Sequence, residues 1–375
     1  MDYIDPQTNE KYYRTVLKTN DLVVSVRGEV GKVGIVFQNL SGFNINANVI
    51  KISLHSDYNG VSVSPQFIWA YLNSRVGKMQ LKKRVSGGVQ ETITVDGLSD
   101  IDIILPPYEI QMSLYSRLIN VHYSCFSMED ASNAIFDSSS KLITSALAIS
   151  APQYTEKLVG AVRLSSIVND STFSADYYHP ERLAAIQMIK SGTCLSAKKL
   201  SDIVSFHRDI VDSSLSKEPY LGLAGVQSQT GELSGVAEEA AGQAFVYNAG
   251  DILYGRLRPY LNKVLLAESS GICSTEFHVM RIKESAGVRP GYLAAILRSD
   301  LILSQTKHMM TGNTHPRISN DDVKNLYIPI PSLIIQQEIE EELQKRRMEA
   351  RTLKLQAEKE WAEAKAQFER ALLGE

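Results

Sequence analysis

The feature that most constrains this fold is that the chain is written twice. Residues 85–111, VSGGVQETITVDGLSDIDIILPPYEIQ, return as 310–336, MTGNTHPRISNDDVKNLYIPIPSLIIQ, aligning Gly87 with Gly312 and Gln111 with Gln336. FIWAYLNSRVGKMQ (67–80) returns as YLAAILRSDLILSQ (292–305), and NDLVVSVRGEVGKVGIV (20–36) as GDILYGRLRPYLNKVLL (250–266). Three matches in one order over roughly 90 positions read as a duplicated structural unit. Each copy opens on a polar residue and Asp followed by an apolar, strand-like run. Each continues with a short amphipathic helix that carries Leu-x-Ser at its centre. Each closes on a second strand-like run, IDIIL or LYIPI, stopped by proline, which cannot donate to a sheet ladder and holds the preceding residue extended.

Behind each copy the apolar period changes to that of a helix. Leu118, Val121, Cys125, Met128, Ser132, Ile135, Ser139, Leu142, Ala146 and Ile149 step by threes and fours, the rhythm of a coiled-coil seam, until Pro152 ends it. Ile339, Leu343, Arg346, Ala350, Leu353, Ala357, Trp361, Ala364 and Phe368 repeat it in a segment rich in good helix formers. Two helices of ~40 residues, ~60 Å each at 1.5 Å per residue, behind matched domains predict mutual pairing as an antiparallel coiled coil or a partner-binding spacer. Ser132 and Ser139 predict a loose or partner-completed section of that seam, and the run SSS at 138–140 is also readable as linker.

With 375 residues, 44% hydrophobic and 22% charged, the chain has material for two or three cored domains. Its net charge of −3 exerts no overall pull toward nucleic acid, so any such binding must come from local basic patches. Cys125, Cys194 and Cys273 lie far apart without metal-type pairing, which fits a reducing compartment. The opening MDYIDPQTNEKYY lacks signal-peptide character, and no apolar run approaches the ~20 residues of a membrane span, so the cytoplasm is the expected location.

In NDLVVSV and GDILYGR, in the glycine-containing loops VSGGVQETI and TGNTHPRIS, and in LPPYEIQ and IPSLIIQQ, the sequence resembles the DNA specificity subunit of type I restriction-modification systems. The resemblance covers almost the whole chain. It implies an α/β (α+β) architecture of two mixed target-recognition domains, each followed by a long helix. The expected division is a first domain at 1–108, a central helix at 109–150, a linker at 151–162, a second domain at 163–334 and a C-terminal helix at 335–375. The pattern departs at the N-terminus. About 90 residues lie between the central helix and Asp251, but about 20 precede Asp21, so roughly 65 to 70 residues of the second domain have no counterpart in the first. The resemblance further implies a subunit that performs no chemistry and needs no cofactor. Its partners would be double-stranded DNA with a bipartite target, modification methyltransferase subunits in two copies and a restriction subunit; an unusual family member, a downstream start, one piece of a split subunit and self-association all stay open as readings of the unmatched segment. The competing expectation is a coiled-coil scaffold, or a degenerate specificity subunit, whose repeated domains bind protein.

Affinity for DNA would come from Arg and Lys on phosphates, and sequence reading from a few side chains at base edges. In the first copy KMQLKKRVSGG offers Lys78, Lys82, Lys83 and Arg84 beside Gly87 and Gly88. In the second, YGRLRPYLNK offers Arg256, Arg258, Tyr260, Asn262 and Lys263, and the glycine loop offers Lys307, His308, Asn313, His315 and Arg317. Weaker candidates are His207 and Arg208 after a strand-like run, and the polar stretch Gln227, Gln229 and Thr230. Taken singly, any of these is equally readable as a solvated loop residue.

Enzyme readings find little support. LPPY at 105–108 superficially resembles the motif of amino-methyltransferases, but Leu105 cannot hydrogen-bond a target amine. GEVGKVG at 28–34 lacks the Gly-Lys-Ser/Thr ending of a phosphate loop and reads as a hairpin. The seven histidines show no metal-ligand spacing, so no metal site is expected.

Overall fold

A computed structural model describes residues 5–87, 91–149, 161–170, 172–192, 196–240, 242–312 and 314–374. Helix and sheet are mixed in two compact units, Met1–Asp130 with Thr352–Glu375, and Ala131–Arg351. Most of the linker expected at 151–162 lies outside the described residues. No helix among the described residues is long and apolar enough to cross a membrane.

The repeated motifs make repeated hydrogen bonds. Asp21 accepts from the Lys18 amide at 2.8 Å, and Asp251 from the Asn248 amide at 2.8 Å, so a buried aspartate closes the turn that launches a strand in each copy. That strand, Leu22–Ser25 or Ile252–Gly255, is central in its antiparallel sheet, between Val33–Ile35 and Val49–Ile52 in the first unit and between Val264–Leu266 and Phe277–Ile282 in the second. The second unit's sheet has a fourth strand, Val204–His207, beside Phe277–Ile282. A further sheet orders Ile210–Asp212, Gln243–Tyr247, Gly271–Ser274 and Tyr220–Leu221. Ile252 and Met280 face one core and Leu253 and Val279 another, which is why these strands read as apolar runs without alternation.

The single helix expected over 67–80 is two, Pro65–Asn73 and Arg75–Lys83, and its repeat is Pro290–Arg298 and Asp300–Thr306. The serine of Leu-x-Ser is the pivot. Ser74 and Ser299 are extended, and their hydroxyls donate to Tyr71 O and Ile296 O, each at 2.6 Å, so the first helix ends where the second begins. Gly77 permits this turn, since a Cβ there would come within 2.3 Å of Tyr71 O.

Two glutamines per copy clamp the chain. Gln80 donates to Asp102 O at 2.7 Å and accepts from its amide at 2.9 Å; Gln305 makes the same pair with Tyr327, at 2.9 Å each. Gln111 bonds Ser62 O, Pro106 O and the Ser64 amide, and Gln336 bonds Gly287 O, Pro331 O and the Arg289 amide. Strands are expected from both IDIIL and LYIPI, yet only Tyr327–Ile330 forms one, because Ser196–Lys199 pairs with it. Residues 101–105 carry the same clamp but form no ladder among the described residues.

The long helices run Tyr108–Ala146 and Leu333–Leu373. In the first unit His122 packs on Trp361, 5.0 Å between centroids, and Cys125 Sγ donates to Ala357 O at 3.2 Å. In the second, Ser132 Oγ donates to Ala350 O at 3.0 Å, and Arg346 to Ser138 Oγ at 3.0 Å. One helix's numbers rise as the other's fall, the order of an antiparallel pair. Ser132 is therefore a buried close contact against alanine rather than a loose section, and 138–140 is helix rather than linker. Of the expected seam positions Leu118, Cys125, Ser132 and Ile149 are buried, Val121 and Met128 are half-buried and Ala146 is exposed, while Ile143 and Leu147, which the heptad reading did not include, are buried in the second unit's core.

Candidate nucleic-acid interface

The two basic stretches of the second copy meet. After the strand Ile252–Gly255 the chain bridges Leu257 to Arg317, and the Arg258 amide donates to Pro316 O at 2.7 Å. Arg258 and Asn262 adopt the left-handed conformation at either end of the turn Pro259–Leu261. Asn262 is buried and donates to Gln229 Oε1 at 3.0 Å and Arg298 O at 2.7 Å, while Gln229 donates to Tyr260 O at 3.2 Å. Thus Gln229 and Asn262 anchor the hairpin. The glycine loop closes on itself through reciprocal Thr311 and Arg317 bonds of 2.9 Å, with Gly312 at φ +97°. The first copy repeats this closure between Ser86 and Thr92, with Gly87 at φ +106°.

The candidate cations divide by whether their charge is already engaged. Lys78 donates to Gly31 O and Lys263 to Leu223 O, at 2.7 and 2.8 Å, and burial pushes both ammonium pKa values down. Arg84 bonds Asp100 O at 2.7 Å and lies 3.6 Å from its carboxylate. Arg256 donates to Thr275 O at 3.2 Å, and its buried Nε has no partner among the described residues. Arg317 forks onto Glu276, with Nη2 2.7 Å from Oε1, and this guanidinium holds the carboxyl below its usual range. Burial and the Arg256 charge push the pKa of nearby His278 down to about 4, so its ring is neutral. Lys82, Lys83, Arg258, the Tyr260 hydroxyl and the His315 ring are exposed, with no side-chain partner among the described residues. Asn313 lies outside the described residues. His207 pairs with Ser205 at 3.0 Å, and Arg208 is exposed.

One cluster was not legible from spacing. His179, Glu181 and His308 bring potential ligand atoms within 4.8 Å of one another. His308 Nε2 lies 2.8 Å from Glu181 Oε2, and Lys307 Nζ lies 2.6 Å from Oε1, which also accepts from Ser304 at 3.1 Å. Burial raises the Glu181 pKa, but these hydrogen bonds outweigh it and bring the value to about 2. The two imidazoles stack 3.6 Å apart at 11°, so their in-plane lone pairs do not converge, and Lys307 already balances the carboxylate. This arrangement is an ion-pair latch between the helices Pro180–Ser191 and Asp300–Thr306, and it removes Lys307 from the free cations.

Comparison with known proteins gives two matches to one domain profile, the type I restriction modification DNA specificity domain, at residues 4–134 and 214–356. The type I restriction enzyme EcoDI specificity subunit of Escherichia coli is 26% identical over 118 residues, 30% of this chain and 26% of that protein. The chain therefore matches about a quarter of that relative's length. A structure solved for the complex assembly and conformational transition of a type I R-M system has a similar fold, with a TM-score of 0.50 and 14% identity over 95% of this chain and 82% of the other. The type I restriction-modification S subunit from M. genitalium aligns at a TM-score of 0.44 and 13% identity, covering 94% and 82% of the two chains.

Proposed function

From the premise that the chain belongs to the type I restriction modification DNA specificity domain family, we propose that it is a non-catalytic subunit that selects the DNA sequence on which partner subunits act. What supports this reading most is the convergence of the hairpin at 256–263 and the loop at 311–317 on one surface of the second unit. There Arg258, Tyr260 and His315 are exposed for phosphate and base contacts, while Arg256, Lys263 and Arg317 hold the loops that present them. Lys82 and Lys83 are the corresponding free cations of the first unit among the described residues, with Lys78 and Arg84 as their supports. Asn313 completes the proposed loop by sequence position alone. The target is bipartite, one half-site per unit. The long helices pair as a coiled-coil spacer and dock two methyltransferase subunits and, through them, the restriction subunit. The cytoplasm is where such a complex meets its substrate.

A protein-binding scaffold is the second reading, favoured by the net charge of −3 and by how many of the expected DNA cations are engaged within the chain. Methylome sequencing of cells expressing the neighbouring methyltransferase, with and without this chain, separates the two. A bipartite methylated motif that vanishes without the chain is the expected result, and unchanged methylation would remove the specificity role.

A further inference from the structure

The polar stretch at 227–230 spends its amides within the chain. Val226 bridges Leu233 and the Gln227 amide donates to Glu232 O at 2.8 Å, so residues 227–232 form a tight turn, with Gln229 and Gly231 at φ +65° and +66°. One side of the turn holds the hairpin that presents Arg258 and Tyr260. The Gln229 backbone amide donates to Leu261 O at 3.1 Å, its side-chain amide donates to Tyr260 O at 3.2 Å, and its Oε1 accepts from buried Asn262 at 3.0 Å. The middle of the turn is pressed on the frame beneath, since a Cβ on Gly231 would come within 2.1 Å of Val264 O and 2.9 Å of Arg298 Nη1. The far end is clasped to the C-terminal helix. Buried Glu232 accepts from Arg347 Nε at 2.6 Å on one carboxylate oxygen and from Arg351 Nε on the other, and these arginines, four apart, lie one turn from each other on one helix face. All of these residues belong to the second unit. A cleft of about 380 Å³ lined by Ser139, Gln229, Thr230, Arg298 and Arg347 opens beside the turn, so on that side the ion pairs hold it where close packing does not.

We propose that Glu232 is a positioning residue for sequence reading. Through the turn at 227–232 it ties the hairpin at 258–262 to the C-terminal long helix and, on the reading that this hairpin contacts DNA, sets the orientation in which Arg258 and Tyr260 reach base edges. Among the described residues Glu232 bonds none of those proposed to face DNA, so neutralising it removes no phosphate contact. What is lost is the hold on two guanidinium groups, which frees the turn and with it the bonds from Gln229 to the hairpin. Base-edge hydrogen bonds need fixed distances and angles, whereas attraction between an arginine and a phosphate tolerates displacement. Loss of the clasp therefore acts on discrimination between sequences rather than on affinity for DNA in general.

The test compares the wild-type full-length chain, together with the neighbouring methyltransferase, against Glu232→Gln and against Arg351→Gln, whose exposed position makes it the safer variant for folding. Each is titrated with a duplex carrying the methylome-derived target and with a scrambled duplex. Affinity for the target should fall about tenfold in both variants, while affinity for the scrambled duplex and its salt dependence stay at the wild-type values. In the chain without DNA, amide exchange at Gln229, Leu261 and Asn262 should quicken about tenfold while that of the strand 252–255 is unchanged. Adding Glu232→Gln to Arg347→Gln with Arg351→Gln should change nothing further, because both act on one clasp. Unchanged exchange at the hairpin, or equal losses on the two duplexes with exchange quickened in the strand as well, overturns the proposal. A wild-type complex that binds both duplexes equally would fell the DNA reading and this proposal with it, whereas wild-type discrimination that survives in both variants fells the proposal alone.

Discussion

Arg258 and Arg317 lie on the same pair of loops but differ in what their charge is free to do. Arg317 is neutralised by Glu276 and can meet a phosphate only by giving up a bidentate pair, whereas Arg258 is exposed without a side-chain partner among the described residues. Both arginines are visible in the sequence; the distinction is not, because Glu276 is remote from Arg317 along the chain. The same holds for Lys78 and Lys263, whose acceptors are backbone carbonyls of distant turns. Beneath these loops His278 is buried as a neutral ring, its pKa lowered from 6.5 to about 4 by burial and by Arg256. Since the unfolded chain binds this proton more readily than the folded one, the second unit's stability is full above pH 6.5. It falls as the pH drops toward 4, by about 2–3 kcal/mol from this group. Urea unfolding at pH 7 and pH 4.5 should show that difference in the wild type and a much smaller one in His278→Phe.

The strand-forming tendency of IDIIL and LYIPI is legible, but whether each becomes a strand is settled by a neighbour, since a ladder needs a second chain segment to accept its hydrogen bonds. The Leu-x-Ser centre of each short helix is legible too, but not its consequence: Ser74 and Ser299 turn their hydroxyls onto the preceding turn and split one expected helix into two. Along the long helices, small residues face each other where the sequence suggested weakness. Ser132 and Cys125 bond directly to the backbone at Ala350 and Ala357, a separation that larger side chains would forbid. Ala350→Leu should therefore overpack the seam and cost about 1–3 kcal/mol, read as a lowered denaturant midpoint, whereas the same change at exposed Ala362 should cost little.

For the whole chain, near-neutral net charge means that duplex binding depends on a few exposed cations rather than a general field. Log affinity for a duplex carrying the methylome-derived target should fall linearly with log salt. Arg258→Ala should reduce that slope by about 1 and weaken binding by about 1–2 kcal/mol; a slope unchanged by Arg258→Ala would take this residue off the interface. What the sequence by itself determined is the duplication: paired aspartates, serines, glutamines and prolines recur in order because each fulfils a hydrogen-bonding or backbone role that needs that residue type at that spacing. Only the tertiary structure decided which lysines and arginines remain free, which apolar run becomes a strand, and that among the described residues Val49–Ile52 ends its sheet while Phe277–Ile282 is flanked on both sides. Each of these turns on a partner remote in sequence, and the energy of a charge or a strand edge depends on whether that partner arrives.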